Sequence, residues 1–193
     1  MKSINTKRLV GLALLTAIVV VLQLLGSFIK IGAFSISLVL IPMVVGAALY
    51  GPLAGAFLGG VFGLVVVIAT VNGTDAGAYM MFAARPFLTV ALCFIKGIAA
   101  GWAAGAVFRL LSKKNTYVGV IASAVACPIV NTGIFCLCMV AFYRELLSEW
   151  AGGTDAIYFL IFVMVGGNFL LEILINVVVS PIILRIIKIR KKI

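Results

Sequence analysis

The chain has 193 residues, 65% of them hydrophobic and 10% charged, with a mean hydropathy of +1.32, whereas a soluble domain is about half apolar and about a quarter charged. This is a membrane composition, and at about 20 residues per span it leaves no room for a separate soluble domain, so residues 1–193 read as one integral membrane domain. With no His, Ser/His or Cys/His catalysis and a His-ligated zinc are excluded. Five acidic residues are too few and too scattered for a multi-carboxylate metal site or a paired-carboxylate hydrolase. No enzyme, metal or cofactor is expected.

Apolar stretches ending at charge, Gly/Pro or polar clusters predict six spans, over 9–29, 34–50, 52–71, 86–109, 117–143 and 157–184. The expected fold is an all-α polytopic bundle. The first span is too long for the roughly 7–15 apolar residues of a cleavable signal, and it carries Ala13 and Ala17 in the segment ALLTA. The third carries Gly51, Gly55, Gly59 and Gly63, with Gly60 beside them, and the fourth carries Gly97, Gly101 and Gly105. Residues four apart share a helix face, and small residues let helices approach closely in lipid. For the third and fourth spans, packing within the molecule is the simple use; the Ala pair near one end of the first suggests a docking face for another subunit. Cys93, Cys127, Cys136 and Cys138 lie in apolar segments without a C-x-x-C pair and read as small hydrophobes.

The net charge of +10 gets its meaning from its placement. Alternating loops put Lys2, Lys7, Arg8, Arg109, Lys113, Lys114, Arg185, Lys188, Arg190, Lys191 and Lys192 on one face, and Lys30, Arg85 and Arg144 on the other. Cation-rich ends stay cytoplasmic, so both termini are expected inside, and the excess charge points to anionic lipid rather than nucleic acid.

Polar residues within spans are costly and mark function by default. Lys96, Asn131 and Asn168 fall about 15 to 18 Å from the outer ends of their helices by the helical rise, at one depth on three helices. Glu172 and Asn176 continue a polar face inward from Asn168. Two readings stand: a structural Lys96–Glu172 ion pair with Asn side chains bonding across helices, or a solute pocket opening outward between helices four, five and six. The pocket's lid candidates are residues 30–35, 72–85 and 144–156; the second holds Tyr79, Phe82 and Arg85 among small residues.

The first-helix Ala13-x-x-x-Ala17, the segment IPMVVGAALYGPLAGAFLGGVFGL at 41–64, PIVNTGIF at 128–135 and NFLLEILINVVVSPII at 168–183 together resemble the substrate-binding S components of energy-coupling factor (ECF) vitamin transporters. The resemblance spans nearly the whole chain. It implies a prokaryotic plasma-membrane subunit that captures a water-soluble vitamin from outside. It also implies a transmembrane T component and two cytosolic ATPases as partners, and a loaded subunit that topples in the bilayer to release its cargo. In that family Ala13 and Ala17 would face the T component, and the absence of G-x-x-x-x-G-K-[ST] fits ATPases on separate chains. Toppling would also give the Gly stripes a use, as a smooth outer wall on helices one to three.

The 41–60 segment, Lys96 in helix four, and Val130, Asn131 and Thr132 in helix five are most similar to pantothenate-type members. The carboxylate, hydroxyls and amide of pantothenate would meet Lys96 or Arg85 together with Asn131 and Asn168. Tyr79, Phe82, Phe87 and Phe135 equally suit the ring of riboflavin, folate or another micronutrient. The candidate substrate site is thus Lys96, Asn131, Asn168, Glu172, Arg85, Tyr79 and Thr132. A self-sufficient channel or secondary transporter is the alternative of another class, but residues 1–96 and 97–193 show no convincing internal repeat.

Overall fold

The computed structural model describes residues 6–26, 30–31, 34–35 and 38–192. Lys2, the end of the first predicted span and parts of the 30–35 lid candidate lie outside them. The elements are α1 (Thr6–Gly26), β1 (Lys30–Ile31), β2 (Phe34–Ser35), α2 (Leu40–Tyr50), α3 (Pro52–Val71), α4 (Ala76–Ala84), α5 (Pro86–Leu111), α6 (Thr116–Phe142), α7 (Arg144–Ala151), α8 (Ala156–Tyr158) and α9 (Gly166–Lys192). A π-helical segment (Phe159–Val165) joins α8 to α9, and the three run on as one rod. Among the described residues, five apolar helices are long enough to cross a membrane, and α2 is a sixth, shorter one. The all-helical bundle is therefore as expected, with three corrections to its details.

The second span is shorter than predicted. Residues 34–35 form an antiparallel ladder with 30–31, and the helix begins only at Leu40. Its 11 residues reach about 16 Å, half a bilayer core. This is tolerable because α2 is enclosed by other helices: Leu40, Met43, Val44 and Ala47 are all fully buried.

Two predicted loops are partly helical. The 72–85 segment contains α4, whose N-terminus is capped by Asp75 Oδ1 accepting from Ala78 N at 3.0 Å, a standard way to satisfy a free helical N–H. The 144–156 segment contains α7, which ends at Gly152 in the left-handed conformation (φ +57°), where glycine carries no steric penalty. Gly51 makes the turn between α2 and α3 at φ +95°, with Pro52 starting α3.

The third correction concerns the Gly stripes. They lie between α3 and α5, inside the molecule, rather than on an outer wall. A Cβ on Gly55 would stand 2.1 Å from the Gly101 carbonyl oxygen, one on Gly59 2.0 Å from that of Gly97, one on Gly63 2.8 Å from that of Cys93, and one on Gly105 2.5 Å from Pro52 Cα. The two antiparallel helices touch backbone to backbone along this ladder. With no hydrophobic drive between helices in lipid, such contact is the main source of pairing energy.

Two buried clusters flank the ladder. One joins α1, α2, α3, α5, α6 and α9 through residues such as Leu15, Met43, Phe62, Val120 and Ile183. The other joins α4, α5, α6, α7 and the π-helical rod through Met81, Leu92, Met139, Tyr143, Leu147 and Leu160. Five long helices and the shorter α2 bring both ends of the described chain to the basic end, where Arg8 Nη2 donates to the Tyr50 carbonyl at 3.2 Å. By the distribution of cations this end is cytoplasmic.

Candidate functional site: a polar cavity in the outer half

Where the Gly ladder ends, a cavity opens. It has room for water-sized spheres over about 100 Å³. Five of the predicted site residues line it: Lys96, Asn131, Thr132, Asn168 and Glu172. The two candidates Arg85 and Tyr79 do not. Tyr79 is exposed on α4. Arg85 lines a separate shallow pocket with Tyr143 and Glu145, and its carbonyl accepts from Thr89 Oγ1 at 2.9 Å and from the Tyr143 hydroxyl at 3.3 Å. Of the four ring candidates, Phe135 lines the cavity, Tyr79 and Phe82 do not, and Phe87 is exposed.

The walls are set by helical spacing. On α9, Asn168, Glu172, Asn176 and Ser180 fall four apart and are all buried, so the polar face expected from Asn168 onward points into the bundle and extends one turn further. Asn176 Nδ2 donates to the Glu172 carbonyl at 2.8 Å. Just before Asn168, Met164 and Val165 of the π-helical segment also line the cavity. The wider π turn shifts the register of the rod ahead of its polar face, and such turns recur at functional sites. A Cβ at Gly166 would stand 2.8 Å from the Ile161 carbonyl, so this position closes the π turn only because it lacks a side chain.

From α5, Lys96 reaches between two aromatic rings, with Nζ 5.9 Å from the centroid of Phe62 and 5.6 Å from that of Phe135. Both lie within the roughly 6 Å at which ring faces attract a cation, so α3 and α6 hold the ammonium in the cavity wall. On α6, Asn131 is 5% exposed, and its Oδ1 is buried without a hydrogen-bond partner among the described residues. A buried amide oxygen left without a donor costs about 1–3 kcal/mol, and this one lies in a wall beside open space.

Among the lining residues that sequence reasoning missed are Gln23 on α1, Phe62 on α3, Asp75 at the start of α4, Thr89 on α5 and Phe169 on α9. Gln23 was findable, since it is the lone amide in the first apolar span and intramembrane polar groups mark function. Asp75 looked like a loop acid, and only the formation of α4 carries it to the cavity. Among the described residues no cluster of His, Cys, Asp or Glu has a metal-binding arrangement. Ala13 and Ala17 are far from this site in role, lying exposed on α1, whose buried positions are Leu15, Val19, Gln23 and Gly26.

Comparison with known proteins gives a consistent picture. The chain resembles the solved structure of ThiT from Listeria monocytogenes, with a TM-score of 0.67 and 23% identity over 94% of each chain; at that identity the likeness is one of fold. No curated protein matches the chain significantly. The model of the family described as "ECF transporter, substrate-specific component" matches residues 7–184. With nearly the whole apolar bundle covered, the chain belongs to the substrate-specific components of ECF transporters, the substrate-binding subunits of those importers.

Proposed function

We propose that the outer cavity is the substrate site and that its substrate is a small water-soluble vitamin bearing a carboxylate, pantothenate being the best fit. The observation that carries this reading is the pairing of Lys96, an ammonium held on two aromatic faces, with the buried, partnerless Asn131 Oδ1 in one cavity wall. The first suits a carboxylate, and the second suits an amide N–H or hydroxyl. Thr132, Asn168 and Glu172 supply further polar groups for hydroxyls. Arg85 and Tyr79 lie outside the cavity lining and are assigned no contact with the substrate. Phe62, Phe135 and Phe169 also line the cavity and favour, as a second reading, a ring-bearing vitamin such as riboflavin or folate.

The direct test is to purify the protein after growth in rich medium, denature it and identify any released molecule by mass spectrometry. Stoichiometric pantothenate is the expected result, and titration of emptied protein with pantothenate, riboflavin and folate separates the two readings. Lys96→Ala should weaken pantothenate binding about ten- to a hundredfold, the worth of a charged hydrogen bond. An emptied protein that binds none of these vitamins overturns the assignment.

Transport then requires the partners of the family, a T component and two cytosolic ATPases, in a prokaryotic plasma membrane. We place the docking face at Ala13 and Ala17, which are small, exposed and four apart on α1. Ala13→Leu and Ala17→Leu should leave vitamin binding intact and abolish ATP-driven uptake in liposomes containing the partners. Uptake that survives both changes removes the docking assignment.

A further inference from the structure

At the basic end, a second open groove runs along the surface of α3 and α5. Three cations, Arg8, Arg109 and Lys113, share its lining with Trp102, Leu53 and Leu110. None of the chain's five acidic residues occurs at this end, since Asp75, Glu145, Glu149 and Asp155 belong to the opposite end and Glu172 to mid-membrane. The groove is therefore a concentration of positive charge with no carboxylate in its lining to neutralise it.

The vertical order of these groups matches one kind of ligand. Arg109 and Lys113 fall on the last turn of α5 and just beyond it, and Arg8 joins them from α1. The Arg8 guanidinium is steadied by its bond to the Tyr50 carbonyl, which leaves most of its five N–H donors available. Trp102 lies seven residues back along α5, about 10 Å deeper, and is 53% exposed. Leu53, 76% exposed, comes next to Pro52, which contacts Gly105 and so marks the level between the cations and the indole. Cations at the water boundary, then open apolar surface, then an indole edge is the profile of a phospholipid read from phosphate to acyl chain. Basic pockets between helices on the cytoplasmic side suit anionic headgroups, and Trp favours the interfacial region.

We infer that this groove binds an anionic phospholipid of the inner leaflet, its phosphate on Arg8, Arg109 and Lys113 and its acyl chains along Leu53 and Trp102. The site is separate from the vitamin cavity, so its occupancy is testable whatever the vitamin proves to be.

The experiment uses the full chain carrying Trp150→Phe, which leaves Trp102 as the single tryptophan, in vesicles of dioleoyl phosphatidylcholine. Part of the lipid is replaced by the same mole fraction of dibrominated phosphatidylglycerol or dibrominated phosphatidylcholine, and quenching of Trp102 reports which lipid occupies the groove. The expected result is a preference for the anionic lipid on the order of tenfold, since each cation near the surface adds to the attraction. Arg109→Gln/Lys113→Gln should bring the preference close to unity while vitamin binding stays unchanged; this pair keeps the Arg8 contact, so the fold of α1 against α2 is untouched. Equal quenching by both lipids in the parent protein overturns the proposal. Loss of the preference on adding inorganic phosphate also overturns it, by showing that any phosphate fills the groove. If quenching is equal and the double variant fails only in uptake with its partners, the cations belong to a protein contact instead.

Discussion

The two halves of this bundle are held by different means. Toward the basic end, α3 and α5 approach until the Gly59 and Gly97 backbones touch, and the surrounding core is mostly apolar, with Ser123 and Ser180 buried in it. Toward the opposite end the helices are short or irregular: α4 and α7 are brief, the α8–α9 rod carries a π segment, and the walls hold Gln23, Lys96, Asn131 and Asn168. The boundary is set by side-chain size. The contact ladder stops at Gly63 and Cys93, α3 continues as Val65, Val66 and Val67, and both Val66 and Cys93 already line the cavity. In lipid, helices stay together where small residues let them and splay where they do not, so the Gly ladder also fixes where room for a solute begins.

The sharpest way to break the comparison is to add one carbon to each kind of glycine. At Gly59 a Cβ would stand 2.0 Å from a backbone oxygen, which cannot rotate away, whereas at the next residue, Gly60, the nearest atom is the Ile98 side chain at 3.7 Å. Gly59→Ala should cost about 1–3 kcal/mol by overpacking, and Gly59→Leu should prevent folding. Gly60→Ala should be neutral or gain up to about 1 kcal/mol from helix propensity. Apparent melting temperatures in detergent measure both, and equal behaviour of the two alanine variants would remove the backbone ladder as the source of stability.

That ladder was legible in the sequence as a four-residue Gly repeat, but its direction was not. A Gly stripe looks the same whether it faces a neighbour in the same chain or a different one, and only the antiparallel match of Gly55, Gly59 and Gly63 to Gly101, Gly97 and Cys93 settles it. The polar depth of Lys96, Asn131 and Asn168 was legible because a fixed rise per residue turns sequence position into depth. That Arg85 and Tyr79 do not line the cavity was hidden for the complementary reason. Tyr79 lies within α4 and Arg85 where α4 gives way to α5, and an outer segment read as loop gives no rule for which way its side chains face. Asp75 was hidden by the same segment, because the cap that turns it toward the cavity exists only once α4 has formed.

A change of opposite sign sharpens the outer half. Asn131 Oδ1 is buried without a donor, so Asn131→Leu should raise the stability of the emptied protein by about 1 kcal/mol, the penalty of an unsatisfied buried acceptor being removed. The same change should weaken vitamin binding about tenfold, since one hydrogen bond to the solute is lost. Thermal unfolding without ligand and titration with ligand are the two readings. Lower stability in the emptied protein would mean that the oxygen is satisfied by the bundle and is not set aside for a solute.

The smallest expected effect separates two roles of one residue. Asp75 caps α4 through Oδ1 and also lines the cavity. Asn is as good a cap as Asp, whereas Ala loses about 1 kcal/mol, so Asp75→Asn keeps α4 and removes only the charge. If α4 covers the bound vitamin, Asp75→Ala should speed its dissociation about fivefold at most, and Asp75→Asn should not. For a vitamin carrying a carboxylate, losing a neighbouring negative charge should leave affinity unchanged or slightly tighter, and the gain should shrink with added salt. Weaker binding in Asp75→Asn would instead mean that the acid meets a positive or donating group on the solute. A positive group there would argue against pantothenate even if Lys96 were essential, because a cation and an acid both engaged by opposite charges describe a zwitterionic solute, whereas a donating hydroxyl or amide would be consistent with pantothenate.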